Sequence, residues 1–179
     1  MCCPPLRPAD RVEGLGRLLA RGEVTIVSSD HCCYDLGQKE AHTHDVREMP
    51  NGLPGVETRL PMVFSRFVVD GGLDPRRFVE LTATNPAKVN GIHPQKGALM
   101  PGSDADIAIW DPTTRWTIAA ETLHQATDYT PYEGIEVTGK PETVIVRGVV
   151  VVDHGELVEG SSRGRHVPAG RLDPEAWLV

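Results

Sequence analysis

The stretch Val24-Thr25-Ile26-Val27-Ser28-Ser29-Asp30-His31 decides how the chain is read. Its first half is apolar and β-branched without strict alternation, the pattern of a strand buried on both faces of a parallel sheet. A helical segment precedes it by only Gly22 and Glu23. There Val12, Leu15, Leu18 and Leu19 recur at helical spacing within residues 11–21, with Asp10 placed to cap the start and Gly22 to stop the end. Helix, short connection and buried strand make an α/β unit. The strand closes on Ser-Ser-Asp-His, and the carboxyl ends of buried parallel strands are where α/β folds place their chemistry. Asp30 is the first candidate residue.

Residues 32–55 are polar and rich in turn formers, closing on Met49-Pro50-Asn51-Gly52-Leu53-Pro54-Gly55. An irregular stretch of that length in a compact domain is usually functional. Residues 56–69 and 74–89 read as helical: Asp74-Pro75 is a cap followed by proline at the first helical position, and Asn85-Pro86 restarts a second short helix. From Gly91 onward the texture changes. Gly97-Ala98-Leu99, Asp106-Ile107-Ala108-Ile109-Trp110, Trp116-Thr117-Ile118, Thr143-Val144-Ile145-Val146, Val149-Val150-Val151-Val152 and Leu157-Val158 are short strand candidates between Gly, Pro and Asp turns. The expected organisation is α/β plus β: an α/β part over residues 1–92, a small all-β part over 93–160, and a tail of little periodicity over 161–179.

With 40% hydrophobic and 24% charged residues among 179, the composition is that of a soluble globular chain. A net charge of −7 without a basic run excludes nucleic-acid binding, which needs clustered Lys and Arg to displace phosphate counterions. Val149–Val152, the longest apolar run, is far short of the ~20 residues of a membrane span. Met1-Cys2-Cys3-Pro4-Pro5 has no basic start followed by an apolar stretch, so no signal peptide is expected and a cytoplasmic location is. The cysteines form two adjacent pairs, Cys2-Cys3 and Cys32-Cys33, which fit neither a disulfide framework nor CxxC zinc spacing. They are expected to be small buried apolar residues, with a four-thiolate zinc site as the alternative.

Several further motifs stand in order along the chain. They are Cys3-Pro4-Pro5-Leu6-Arg7, Ser29-Asp30-His31-Cys32, Gln38-Lys39, Pro50-Asn51-Gly52-Leu53-Pro54-Gly55-Val56-Glu57 and Asn85-Pro86-Ala87-Lys88. His93-Pro94-Gln95-Lys96-Gly97, Pro101-Gly102-Ser103-Asp104-Ala105-Asp106 with the strand after it, Tyr132-Glu133-Gly134 and Val146-Arg147-Gly148 follow. Together they resemble the dihydropyrimidinase and D-hydantoinase family of cyclic amidohydrolases. The Gly-x-Asp-Ala-Asp stretch marks only the wider superfamily; the ordered combination with Ser-Asp-His and Pro-Asn-Gly is far more specific.

The resemblance implies the carboxyl-terminal portion of such an enzyme: the last part of a TIM-type amidohydrolase barrel, incomplete in this chain, followed by a small β-sandwich portion. Enzymes of the family are more than twice this length. Their two-metal zinc site uses a His-x-His, a carboxylated lysine, two further histidines and one aspartate, and only the last falls here, at Asp30. By the same resemblance Asp30 is both metal ligand and the catalytic proton carrier, although a strand-end Asp can also simply cap a turn. His31 is expected to support it rather than to bind metal. Cys3 and Asn51 match positions whose main-chain groups bind the cyclic amide substrate. Cys3 stands where the family usually has Ser, and Pro-Asn-Gly is also a strong turn by itself. The implied activity is hydrolysis of hydantoins or dihydropyrimidines to N-carbamoyl amino acids by a homo-oligomer, tetrameric in the family. The chain alone is expected to be inactive, and the alternative is a truncated, non-catalytic fragment acting as a structural or assembly module.

His42-Thr43-His44 has the form of the family's metal-binding pair but lies in the polar loop after Asp30, and it is expected to take up zinc or nickel only adventitiously. His93, His124, His154 and His166 have no partners at ligand spacing and read as surface or satisfied histidines.

Overall fold

A computed structural model describes residues 2–160 and 164–171. Most of the expected tail lies outside those residues, and 164–171 carry no regular element. The chain divides into two units, one of Met1–Gly72 with Arg115–Thr138, the other of Leu73–Thr114 with Gly139–Val179.

In the first unit, α1 spans Ala9–Ala20 and starts after Pro8, so Asp10 sits in the first turn instead of capping it. The end is as expected: Gly22 takes φ +84°, and Glu23 N–H returns to the Leu18 carbonyl at 2.9 Å. Of the apolar stripe only Leu19 is buried, while Val12 and Leu15 are each 59% exposed. The expected strand over residues 24–31 is not laddered. Strand structure needs a neighbour's N–H and C=O groups, and the described residues give this segment one isolated parallel bridge, His31 to Leu53. The Val27 carbonyl accepts instead from the Arg59 guanidinium at 3.2 Å.

The polar segment after Asp30 is more ordered than its composition suggests. It contains α2, Leu36–Glu40, at whose start Gln38 Oε1 accepts from the Asp35 N–H at 2.9 Å. Leu36 N–H donates to Asp128 Oδ1 at 2.8 Å. Helix α3, Arg59–Val63, continues into a wider π-type turn over Phe64–Val69, where Asp70 N–H reaches back five residues to Ser65 at 3.0 Å. The buried face carries Pro61, Phe64 and Ser65, and the Ser65 hydroxyl accepts from Thr138 N–H at 3.0 Å.

The second unit opens on α4, Pro75–Val79, with Asp74 capping as expected: its carboxylate accepts from Arg76 N–H at 2.8 Å. A π-type turn over Glu80–Thr84 leads directly into α5, Asn85–Val89, so Asn85-Pro86 continues the helix without a break. Pro86 has no N–H to return to the preceding turn, and the wider π-type turn lies directly before it. Leu81 is fully buried, and Phe78 meets Trp110 edge to face at 5.5 Å between ring centres.

Four strands, β1 (Ile107–Thr117), β2 (Glu136–Val146), β3 (Val149–Asp153) and β4 (Glu156–Leu157), form one sheet in sequence order. β2 and β3 are antiparallel, as are β3 and β4. Both connections are two-residue turns with positive φ at each position, Arg147 (49°) with Gly148 (79°) and His154 (49°) with Gly155 (82°), the geometry that matches strand twist. Two sequence expectations change here. Ile107–Trp110 and Trp116-Thr117 belong to one strand, because β1 is the sheet's edge and an edge strand tolerates Pro112. Gly97-Ala98-Leu99 is not a strand: Gly97 turns at φ +73° against Ala87 and Ala83, where any Cβ would lie 2.7–2.8 Å from neighbouring atoms.

Candidate active site

The site is built where residues 30–32 meet the loop around Asn51. Asp30 is exposed and holds φ +45°, a left-handed conformation rare for anything but Gly, Asn and Asp. His31 bridges to Leu53, and Cys32 N–H donates to the Leu53 carbonyl at 3.1 Å. The His31 Nδ1 accepts from Gly55 N–H at 3.0 Å and from Val56 N–H at 3.3 Å, which makes it the unprotonated ring nitrogen. His31 therefore ties the Pro50–Val56 loop to the segment that carries Asp30.

Two further groups hold that loop. Lys39 is buried, and its ammonium donates to the carbonyls of Pro50 (2.7 Å) and Gly52 (2.6 Å). Gly52 has φ +102°, and a Cβ there would sit 2.2 Å from Cys32 Sγ, so the backbone approaches Cys32 as only glycine permits. Both residues stood in motifs of the sequence, but a lysine in a polar segment carries no signal of burial.

Tyr129 and Tyr132 complete the surroundings. Burial pushes the Tyr132 phenol up, with the nearby Cys2 thiol adding to the effect. The same ring lies 3.7 Å from where a Gly55 side chain would begin. Tyr132 thus neighbours both the amino-terminal segment that carries Cys3 and the loop that carries Asn51. Burial also raises Tyr129, helped by Asp128 and Cys32, and its hydroxyl is buried without a hydrogen-bond partner among the described residues. Glu57, next in the loop, accepts from His124 N–H at 2.7 Å and pairs with its Nδ1 at 2.8 Å. His124 is thus a satisfied surface histidine, and so is His154, which pairs with Glu142 at 3.0 Å.

Asn51 and Cys3 are exposed. The four cysteines are free thiols, Cys2 and Cys32 half-buried and Cys3 and Cys33 exposed, so none is the fully buried apolar residue expected. They lie in turns and loops, which have little interior to offer. Among the described residues the one group of three side chains able to share a metal ion is His42, His44 and Glu48; it includes neither Asp30 nor any cysteine. A zinc ion takes three or four protein donors, so the residues around Asp30 do not by themselves fit a two-metal centre. No helix among the described residues is long and apolar enough to cross a membrane.

Residues 1–151 match the Amidohydrolase family, to which the chain belongs. It is 41% identical to the D-hydantoinase of Streptomyces coelicolor over 170 residues, which is 94% of this chain and 36% of that protein. It is also 41% identical to the dihydropyrimidinase of Rattus norvegicus over 166 residues, 92% of this chain and 32% of that protein. A D-hydantoinase (dihydropyrimidinase) structure from Thermus sp. superposes with a TM-score of 0.85 at 39% identity, covering 88% of this chain and 34% of that one. The chain spans about a third of the length of the curated relatives it matches.

Proposed function

We propose that this chain supplies the Asp30-bearing portion of an enzyme that hydrolyses hydantoin or dihydropyrimidine rings to N-carbamoyl amino acids. The observation that carries the reading is the contact of residues 30–32 with the Asn51 loop through His31, Leu53 and Gly55. It stands in a chain that is similar to proteins named for this activity.

Water adds its oxygen to the ring carbonyl carbon while the Asp30 carboxylate takes the proton. As the C–N bond breaks, Asp30 returns that proton to the departing nitrogen, leaving a ureido group and a carboxylic acid that releases water's second proton to solvent. Backbone groups at Cys3 and Asn51 hold the flat ring, whose N–H and C=O groups pair with them at fixed geometry. The donors near Asp30 do not complete the family's zinc centre, so no step is assigned to a metal ion here.

On this reading residues 1–92 belong to the incomplete barrel and 93–160 to the β-sandwich portion, and the enzyme is a homo-oligomer in the cytoplasm. The same donor shortage favours the second reading, a structural or assembly module. A direct test places this chain in exchange for the aligned segment of the Streptomyces coelicolor D-hydantoinase and measures hydantoin opening. Turnover in the chimera with none from the chain alone supports the first reading; an inactive chimera that melts cooperatively supports the second.

A further inference from the structure

We propose that His42, His44 and Glu48 form a binding site for a divalent transition metal of zinc type, on the loop between α2 and Pro50 and separate from Asp30. The sequence offers two imidazoles on an irregular loop, which is not a site. The structure adds the third donor. All three ligand atoms lie within 4.8 Å of one another, with His42 Nδ1 and Glu48 Oε2 already 3.1 Å apart. The two rings are 6.2 Å apart between centroids and tilted by 47°. Metal–donor bonds of about 2.0–2.2 Å in a tetrahedron place donors about 3.4 Å apart, so closing on an ion requires side-chain movements of about 1 Å.

The loop is shaped to hold the three together. Asp45 N–H reaches the His42 carbonyl at 3.0 Å and Glu48 N–H reaches the Asp45 carbonyl at 3.1 Å, so two successive turns fold Glu48 back onto His42. The Asp45 carboxylate takes the Arg47 backbone N–H and Nε, both at 3.0 Å, and Nη2 at 2.6 Å. That pairing neutralises the Arg47 cation of the same loop. Below it, Lys39 closes the neck of the loop through Pro50 and Gly52. Two imidazoles with one carboxylate suit zinc, nickel or copper and disfavour calcium and magnesium, which take oxygen donors. His44 and Glu48 are exposed and His42 is half-buried, so a bound ion keeps a position open to water.

The test is calorimetric titration of the whole chain with Zn²⁺ and, separately, Ni²⁺. The expected result is one ion bound, weakened at least about tenfold by His44→Ala and by Glu48→Gln and unchanged by Asp30→Asn. Far-UV circular dichroism of each variant separates lost binding from lost folding. Co²⁺ serves as a spectroscopic probe: a spectrum without thiolate charge-transfer bands supports the histidine site. Wild-type affinity in both loop variants, loss of binding in Asp30→Asn, or thiolate bands would each overturn the proposal. None of these outcomes depends on the hydrolase reading.

Discussion

The buried ammonium of Lys39 donates to the carbonyl oxygen of Gly52 at 2.6 Å, fixing the Pro-Asn-Gly turn from beneath. Replacing Lys39 with Met leaves that carbonyl and the Pro50 carbonyl without their charged partner. The expected cost is about 1–3 kcal/mol, read from denaturant unfolding. Hydrogen exchange of the amides at residues 51–53 should accelerate more than that of β3. Unchanged stability in Lys39→Met would show that the clamp is incidental.

Gly52 and Cys32 should be energetically coupled. Gly52→Ala must hold φ +102° and meets Cys32 Sγ at 2.2 Å and Cβ at 2.6 Å. Left-handed strain and overpacking together cost roughly 2–5 kcal/mol. In Cys32→Gly both obstructing atoms are gone, so Gly52→Ala should then cost about 1–3 kcal/mol less. Additive costs across the double-mutant cycle would contradict the close approach.

In the second unit, Lys96 sits 2.8 Å from Asp104 and also pairs with Asp106. Its hydrogen bond to Asp104, then that to Asp106, holds the ammonium above its ordinary value, while the Lys96 hydrogen bond holds the Asp104 carboxyl below the usual range. The carboxylate's contribution is present above about pH 3.9 and is lost as pH falls through the lowered native value. The ammonium's contribution is present below about pH 10.4 and is lost as pH rises through the raised native value. Thermal unfolding in this unit should therefore weaken at both extremes, and Lys96→Met should flatten both limbs. A Tm–pH profile of the same shape in the variant would remove this cluster as the cause.

The β2–β3 turn offers a check on the sheet. Arg147 and Gly148 both hold positive φ, and Asp106 Oδ1 accepts from Arg147 N–H at 2.8 Å. Amides of Val149–Val152 should exchange slowly and those of residues 41–48 quickly. Uniformly fast exchange in the valine strand would contradict the register of Val146 with Val149.

Signals confined to neighbouring residues were legible in the sequence. The Asp74-Pro75 start, the Gly22 stop and the Arg147-Gly148 and His154-Gly155 turns depend on local φ and capping, and each is found where composition puts it. What depends on distant partners was not. The apolar pattern of Val24–Val27 marks burial, but a ladder requires a neighbour that the segment's own residues do not specify. The burial of Lys39 follows from a loop closing over it, and Glu48 joins His42 only because two turns at Asp45 reverse the chain. Asp30 was legible as a candidate from its strand-end position, whereas its contact with the Asn51 loop runs through His31 and Leu53, which no spacing rule links.

The central claim is that Asp30 carries the proton in ring opening. The most direct measurement is kcat for hydantoin hydrolysis by the chimeric Streptomyces coelicolor D-hydantoinase bearing this chain, with Asp30 intact and as Asp30→Asn, both verified by thermal melts. A general acid–base group accounts for about 10²–10⁴ in rate, so the account predicts a loss of at least about a hundredfold in kcat with the melt unchanged. Turnover within a few-fold of the unsubstituted chimera would contradict it.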